Sequence, residues 1–462
     1  MMDEYFKVKT DKNPLTYACG ETAVFTVKCA KNHDARHCEK YKWVLKGDDG
    51  SVKEGFGRSV RGRNFKIEGT CKTPGFLRLT ITALKPNGEV DDSYSVADAG
   101  AGFDIDKIKF HGIIPEDYDK FWGEIEKEIE EFTPVLLQKE PITNMIDDGF
   151  EGYDIRISTP WGPPASGILT HPKGNGKFPA SIEFLGYGID AAPPNCTDGR
   201  IHLFLNAHGF ENNLNAPQLA EKYPHLSNYG HSIEENKSPY TTYWKGVITR
   251  DLVAAKFMRT LKNWDGVNLT ATGGSQGAFR ATNVAARDKD INFLDIHIPW
   301  FCDLTAINHG FMRGWRPNFS DGLSYYDTAA AITRVSCPVK ISARLGDYVC
   351  PPSSIMALYN NCKTLKSLDF IQAWTHSYVS PQFDSYRLYN DPENPENILK
   401  GKKWVDKAGE LITVIDEFKD FEGNIQVLYK SENGEPLLIK KEMWNDIVYI
   451  NGAPIRRFKE IK

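Results

Sequence analysis

The stretch that most constrains this chain is Gly273-Gly274-Ser275-Gln276-Gly277. An alternating run, Val267 to Thr272, precedes it and reads as a strand, while Ala278 to Arg287 lacks Gly and Pro and reads as a helix. A serine on so tight a strand-to-helix turn needs small neighbours, which accounts for the glycines. The turn lifts the hydroxyl clear of the sheet edge, and the unpaired N–H groups that open the helix favour developing negative charge. By itself the pattern also fits a Gly-rich turn with a helix-capping serine, so flanking structure and partner residues must decide.

At 462 residues two or three domains are expected. A hydrophobic content of 41% with 12% aromatics supports substantial cores. A net charge of -5 without a basic cluster argues against a nucleic-acid partner, and the absence of a long apolar run argues against a membrane partner. Met1 to Tyr5 shows neither a basic nor an apolar leader region. The expected location is therefore cytoplasmic as written, or exported if a leader has been removed. Nine cysteines without CxxC or zinc spacing read mostly as free thiols.

Residues 1–104 carry short alternating runs (Tyr5–Lys9, Ala23–Val27, Tyr41–Leu45, Phe76–Leu84) separated by turns, as in a small β-sandwich of immunoglobulin type. Cys29 and Trp43 have immunoglobulin spacing, but Cys71 falls too early for the usual disulfide. Gly100-Ala101-Gly102 reads as a linker, and Pro115-Glu116-Asp117 opens a helix. Residues 105–395 turn to α/β, with strands expected at 153–158, 166–170, 180–185, 201–205, 267–272, 293–298, 339–345 and 368–372. A helix is expected over Tyr243–Leu261. This alternation predicts a doubly wound, mostly parallel sheet covered on both faces. After the punctuation Asp391–Pro395, residues 396–462 read as a small β appendage with a hairpin turn at Asn433-Gly434.

A serine hydroxyl attacks only when a base removes its proton, and that base needs a partner to fix its tautomer. Asp347 follows the strand 339–345 and His376 follows the next strand, both at carboxyl ends where such sheets build their sites. The order Ser, Asp, His and this placement are those of an α/β-hydrolase. The backbone N–H groups of Gln276 and Tyr187, in Gly186-Tyr187-Gly188, are the candidate oxyanion donors. Trp300, Trp315 and Trp374 suit either sugar stacking or core packing. His171, His202, His208 and His309 lack metal-site spacing, so no metal or organic cofactor is expected. Cys350 reads as packing beside Asp347.

Residues 110–390 resemble the acetyl xylan esterase/cephalosporin-C deacetylase family of carbohydrate esterases (family seven). The stretches that carry the likeness are Pro115–Trp122, Tyr243-Trp244-Lys245-Gly246-Val247, the 273–277 elbow, and Asp347–Ser353 with Tyr359-Asn360. The resemblance implies Ser275, Asp347 and His376 as catalytic triad, the amides of Tyr187 and Gln276 as oxyanion hole, and hydrolysis of acetyl esters on sugars. Where the family usually has Arg-Gly-Gln-Gly, this chain has Asn206-Ala207-His208-Gly209. That departure is similar to a branch with an N-terminal sandwich, and it leaves the family's usual hexamer as no more than a possible homo-oligomer. Two other readings compete: a prolyl-oligopeptidase-like peptidase, whose propeller roughly a hundred residues cannot build, and a non-catalytic carbohydrate-binding protein.

Overall fold

The computed structural model describes residues 4–30, 38–380, 383–390, 403–406, 411–419, 425–431, 437–444, 447–450, 453–456 and 458–461. Asp391–Pro395 and the Asn433-Gly434 turn lie outside the described residues.

A ten-stranded mixed sheet organises the middle of the chain. Its strands are β1 (Leu136–Ile142), β2 (Phe150–Ile157), β3 (Ala165–Pro172), β4 (Phe178–Phe184), β5 (Ile201–Leu205), β6 (Trp264–Gly274), β7 (Phe293–His297), β8 (Val339–Arg344), β9 (Lys366–Ile371) and β10 (Ser385–Asn390), in the spatial order β10-β9-β8-β7-β6-β4-β5-β3-β2-β1. The six strands from β5 to β9 are parallel; β10, β3, β2 and β1 extend the edges antiparallel. All eight expected strands are present. The two missed, β1 and β10, are edge strands; Lys139, Glu140 and Pro141 interrupt the pattern of β1, and β10 is a short run directly before the Asp391–Pro395 punctuation.

Four helices matter for the site: α1 (Tyr118–Glu131), α2 (Tyr243–Met258), α3 (Gln276–Arg287) and α4 (Pro352–Asn361). Helix α3 packs on β4, β6 and β7, and α2 packs on α3. On that face of the sheet Ile182, Ala271, Leu294 and Ile341 are fully buried. The opposite face is polar. Ser181, Glu183, His202, Thr270, Thr272 and Asp295 alternate with the apolar set and line an open groove of about 740 Å³. The expected α/β sheet is present, mixed in strand direction, with an apolar face under α3 and a polar face opposite it.

The N-terminal residues form two antiparallel sheets, one of Phe6–Thr10, Ala23–Cys29 and Asn64–Gly69, the other of Val52–Arg58, Lys40–Gly47, Gly75–Leu84 and Ala97–Phe103. Phe25, Val27, Leu79, Ile81 and Phe103 fill the core between them. All nine cysteines are free thiols, Cys29 and Cys71 buried among them. The expected linker is not one: Gly100–Gly102 lies inside the strand Ala97–Phe103, buried against the neighbouring strand and the end of the ten-stranded sheet. A Cβ on Gly100 would sit 2.8 Å from the Leu345 carbonyl oxygen, so only glycine allows this approach.

That contact makes the N-terminal sheets a support for the Asp347 and His376 loops. The Gln372 side chain donates to the Gly100 carbonyl at 2.9 Å and accepts from its N–H at 2.8 Å. Asp48 accepts from Phe76 N at 2.8 Å and Met312 N at 3.0 Å, reaching across to a loop of the larger domain. Near the C-terminus, Trp404, Ile412, Val414, Val427 and Trp444 make a small separate core.

Candidate active site

The elbow is built by contact. A Cβ on Gly273 would meet the Gly277 carbonyl carbon at 2.5 Å, and one on Gly277 would meet the Phe184 carbonyl oxygen at 2.0 Å. Gly274 has no such constraint, its nearest neighbour being 3.9 Å away. Between them Ser275 adopts φ 54°, ψ -118°, a conformation non-glycine residues rarely hold. Its N–H donates to His297 O at 2.9 Å, and its carbonyl accepts from Trp300 N at 3.2 Å. These bonds hold the strained turn against the ends of β6 and β7.

His376 and Asp347 meet as expected. The His376 Nδ1 lies 2.9 Å from Asp347 Oδ2. A carboxylate can only accept, so Nδ1 carries the proton and Nε2 is left as a base. The other carboxylate oxygen of the buried Asp347 accepts from Val349 N at 2.7 Å and Cys350 N at 2.9 Å. Arg344 Nη1 donates to the carbonyls of Thr375 and His376, both at 2.7 Å, which fixes the histidine loop.

Ser275 joins this pair through an unexpected neighbour. Its side chain is near enough to the Cys350 thiol to act on that thiol's pKa. Asp347, Cys350 and His376 each place a polar atom within 4.8 Å of the others. Cys350 is buried beside Asp347, as the packing reading has it, and lies close to His376 as well. Burial and the Asp347 charge push its thiol pKa well up, so it stays protonated. Among the described residues no hydrogen bond joins Ser275 directly to His376; such bonds often tighten only when substrate binds.

The loops that carry the two candidate oxyanion donors, Tyr187 and Gln276, are linked through side chains. Neither the Tyr187 nor the Gln276 backbone N–H donates a hydrogen bond among the described residues. A buried network links them. The Tyr229 hydroxyl donates to Gln276 Oε1 at 2.7 Å and accepts from Gly188 N at 3.2 Å. The Gly188 carbonyl lies 2.9 Å from His208 Nε2, and His208 Nδ1 lies 2.7 Å from Tyr243 Oη. Nε2 faces an acceptor and so bears the proton, leaving Nδ1 to accept from Tyr243. Burial, reinforced by Arg250 and Arg280, pushes the His208 pKa down to about 4, so its ring is neutral.

Arg280 of α3 secures the strand ends beneath these loops. It donates to both Asp251 oxygens, at 2.9 and 2.6 Å, and to the carbonyls of Leu185, Leu205 and Asn206. Tyr187 stacks on Tyr229 with centroids 4.4 Å apart and meets Trp315 edge-on at 4.6 Å. Trp300 is buried behind Trp315, which remains 40% exposed, and the two rings stack. Trp374 donates to Ser380 O, a structural bond. Tyr229, Arg280 and the role of His208 were not legible in the sequence. Their partners lie tens of residues away, and an isolated Tyr or His looks like any core residue.

The acetyl xylan esterase 1 of Thermoanaerobacterium sp. has a similar fold, with a TM-score of 0.50 at 19% identity over 60% of this chain and 93% of that one. The fold is thus that of the α/β-hydrolases. Acetyl esterase Axe7A of Xylanibacter ruminicola is 27% identical over 312 residues, 63% of this chain and 68% of that protein. The acetyl xylan esterase (AXE1) pattern matches residues 104–310 and 317–390, more than half of the chain and a span that encloses every residue of the candidate site. The chain belongs to the acetyl xylan esterase family and is a carboxylic ester hydrolase.

Proposed function

We propose that this protein removes acetyl groups from substituted sugars such as xylo-oligosaccharides, with Ser275 as nucleophile, His376 as base and Asp347 as its orienting partner. The observation that supports the reading is the strained turn at Ser275, together with a His376 whose Nδ1 is engaged by a buried carboxylate, in a chain of the acetyl xylan esterase family. His376 Nε2 takes the hydroxyl proton as Ser275 Oγ attacks the acetyl carbonyl. The N–H groups of Tyr187 and Gln276 receive the oxyanion, and each such donor is worth about 3 kcal/mol in the transition state. His376 then protonates the sugar oxygen as it leaves, and water attacks the acetyl-enzyme with the same base. No step calls for a cofactor.

The same proposal divides the chain into an immunoglobulin-type sandwich (1–104), the catalytic domain (105–395) and a β-rich module (396–462). Ser275→Ala is the test. It should lower kcat for p-nitrophenyl acetate and for acetylated xylo-oligosaccharides by a factor on the order of 10⁶. A variant that keeps most of its activity on both would exclude Ser275 as the nucleophile.

A further inference from the structure

His208 faces two ways. Besides holding Gly188, it forms part of the wall of a second cleft, of about 550 Å³, lined also by Trp161, Phe210, Tyr240, Tyr243 and Arg250. Aromatic rings with hydroxyls at the rim are what a sugar ring needs: apolar faces to lie on and polar tips to bond.

Two carboxylates border the cleft, Glu211 beside Arg156 and Glu124 at the Tyr240 hydroxyl, but neither pairs with Arg250 or Lys245 among the described residues. Arg250, only 6% exposed, donates to Ala207 O at 2.6 Å and touches Tyr243. Its Nε has no partner among the described residues. The adjacent carboxylate, Asp251, is gripped at both oxygens by Arg280. Two buried guanidinium groups therefore share one buried carboxylate, which leaves one cation uncompensated.

Lys245, from the same helix as Arg250, points along the cleft wall. Its ammonium sits 4.4 Å from the Trp161 ring centre and 5.7 Å from that of Tyr240. Among the described residues no carboxylate lies within ion-pair distance of it. Arg156 also lines the cleft, but it is matched by Glu211, which Lys222 and Tyr223 share. His225 adds a further titratable nitrogen at the rim. The first turn of α2, with Thr242, Tyr243, Lys245 and Gly246, faces the same space and has no side-chain cap. An uncapped helix start favours an anion. Gly246 leaves room for the guanidinium, since a Cβ there would lie 3.2 Å from Arg250 Nη1.

We propose that this cleft is a binding site for a carboxylate-bearing sugar, a hexuronate, whose carboxylate meets Lys245 with Arg250 behind it and whose ring lies against the aromatic wall. The inference goes beyond ester hydrolysis and rests on the deacetylase reading only in taking a carbohydrate as the ligand. It places an acidic residue of the substrate, or an acidic oligosaccharide, one side chain away from the loop that carries Tyr187.

The test is a calorimetric titration of the full-length protein with sodium glucuronate, run beside xylose, sodium acetate and inorganic phosphate. Glucuronate should bind more tightly than any of the three, and added salt should weaken it. Lys245→Gln, a half-buried position at the cleft wall, should weaken glucuronate about tenfold or more, the usual loss for one charge-assisted contact. Glucuronate no tighter than xylose or acetate overturns the proposal, as does binding indifferent to Lys245→Gln. Phosphate binding as tightly as glucuronate also overturns it, since that describes a simple anion site. Aryl acetate hydrolysis is measured separately, so absent glucuronate binding with intact hydrolysis rejects the cleft alone. Absent hydrolysis with intact binding rejects the esterase assignment alone.

Discussion

His208→Gln isolates one buried group and has a calculable consequence. The His208 pKa is held at about 4 against an ordinary 6.5. Because the folded value is the lower one, the unfolded chain takes up the proton first as pH falls. The stability tied to this histidine is complete above about pH 6.5 and is lost as the pH drops towards 4. Evaluated between pH 7 and pH 5, the loss is about 2 kcal/mol. Glutamine can replace both hydrogen bonds, its amide nitrogen donating to Gly188 O and its amide oxygen accepting from Tyr243, without titrating. Urea denaturation of both proteins at the two pH values gives the comparison. Buried carboxylates such as Asp48 (pKa up to about 6) and Asp327 (up to about 7) drive stability the other way, upward on acidification. They cancel in the difference between the two proteins. The wild type should lose about 2 kcal/mol more than the variant on going to pH 5. Equal losses would mean that His208 is not held neutral by the fold, and the tautomer assigned at Gly188 would go with it.

Three further outcomes follow from the contacts. Tyr229→Phe strands Gln276 Oε1 and Gly188 N–H, each at a cost of about 1–3 kcal/mol; kcat on aryl acetate should fall about tenfold with KM changed less, and a kcat within twofold of wild type would make Tyr229 purely structural. Gly277→Ala should cost about 3 kcal/mol or more, because its methyl has only backbone to push against, whereas Gly274→Ala should be close to neutral; equal melting temperatures would contradict the packing account. Gln372→Ala removes both bonds to Gly100 and should lower kcat as well as stability, since Gln372 sits four residues before His376; a stability loss with full kcat would show that the N-terminal sheets do not support the histidine loop.

Much of the site was legible because it is local or periodic. The elbow follows from glycine spacing around one serine, and the strand ends before Asp347 and His376 from alternation. The surfaces between distant segments were not. Gly100–Gly102 has a linker's composition, yet a glycine-rich strand is what lets Leu345 approach so closely. The polar second face of the sheet was not singled out because Ser181, Thr270 and Asp295 each alternate singly with apolar residues. Cys350 carries no local mark of its contact with Ser275.

Sequence alone determined eight of the ten strands of the large sheet, the tight serine turn and the family of the chain, because each depends on residues close together or on a recurring pattern. Only the tertiary structure decided how the loops of Tyr187 and Gln276 are tied together, which buried cation lacks a counter-charge, and that Gln372 is bonded to Gly100 of the N-terminal sheets. Those properties depend on distances between residues far apart in the chain, and local spacing carries no record of them.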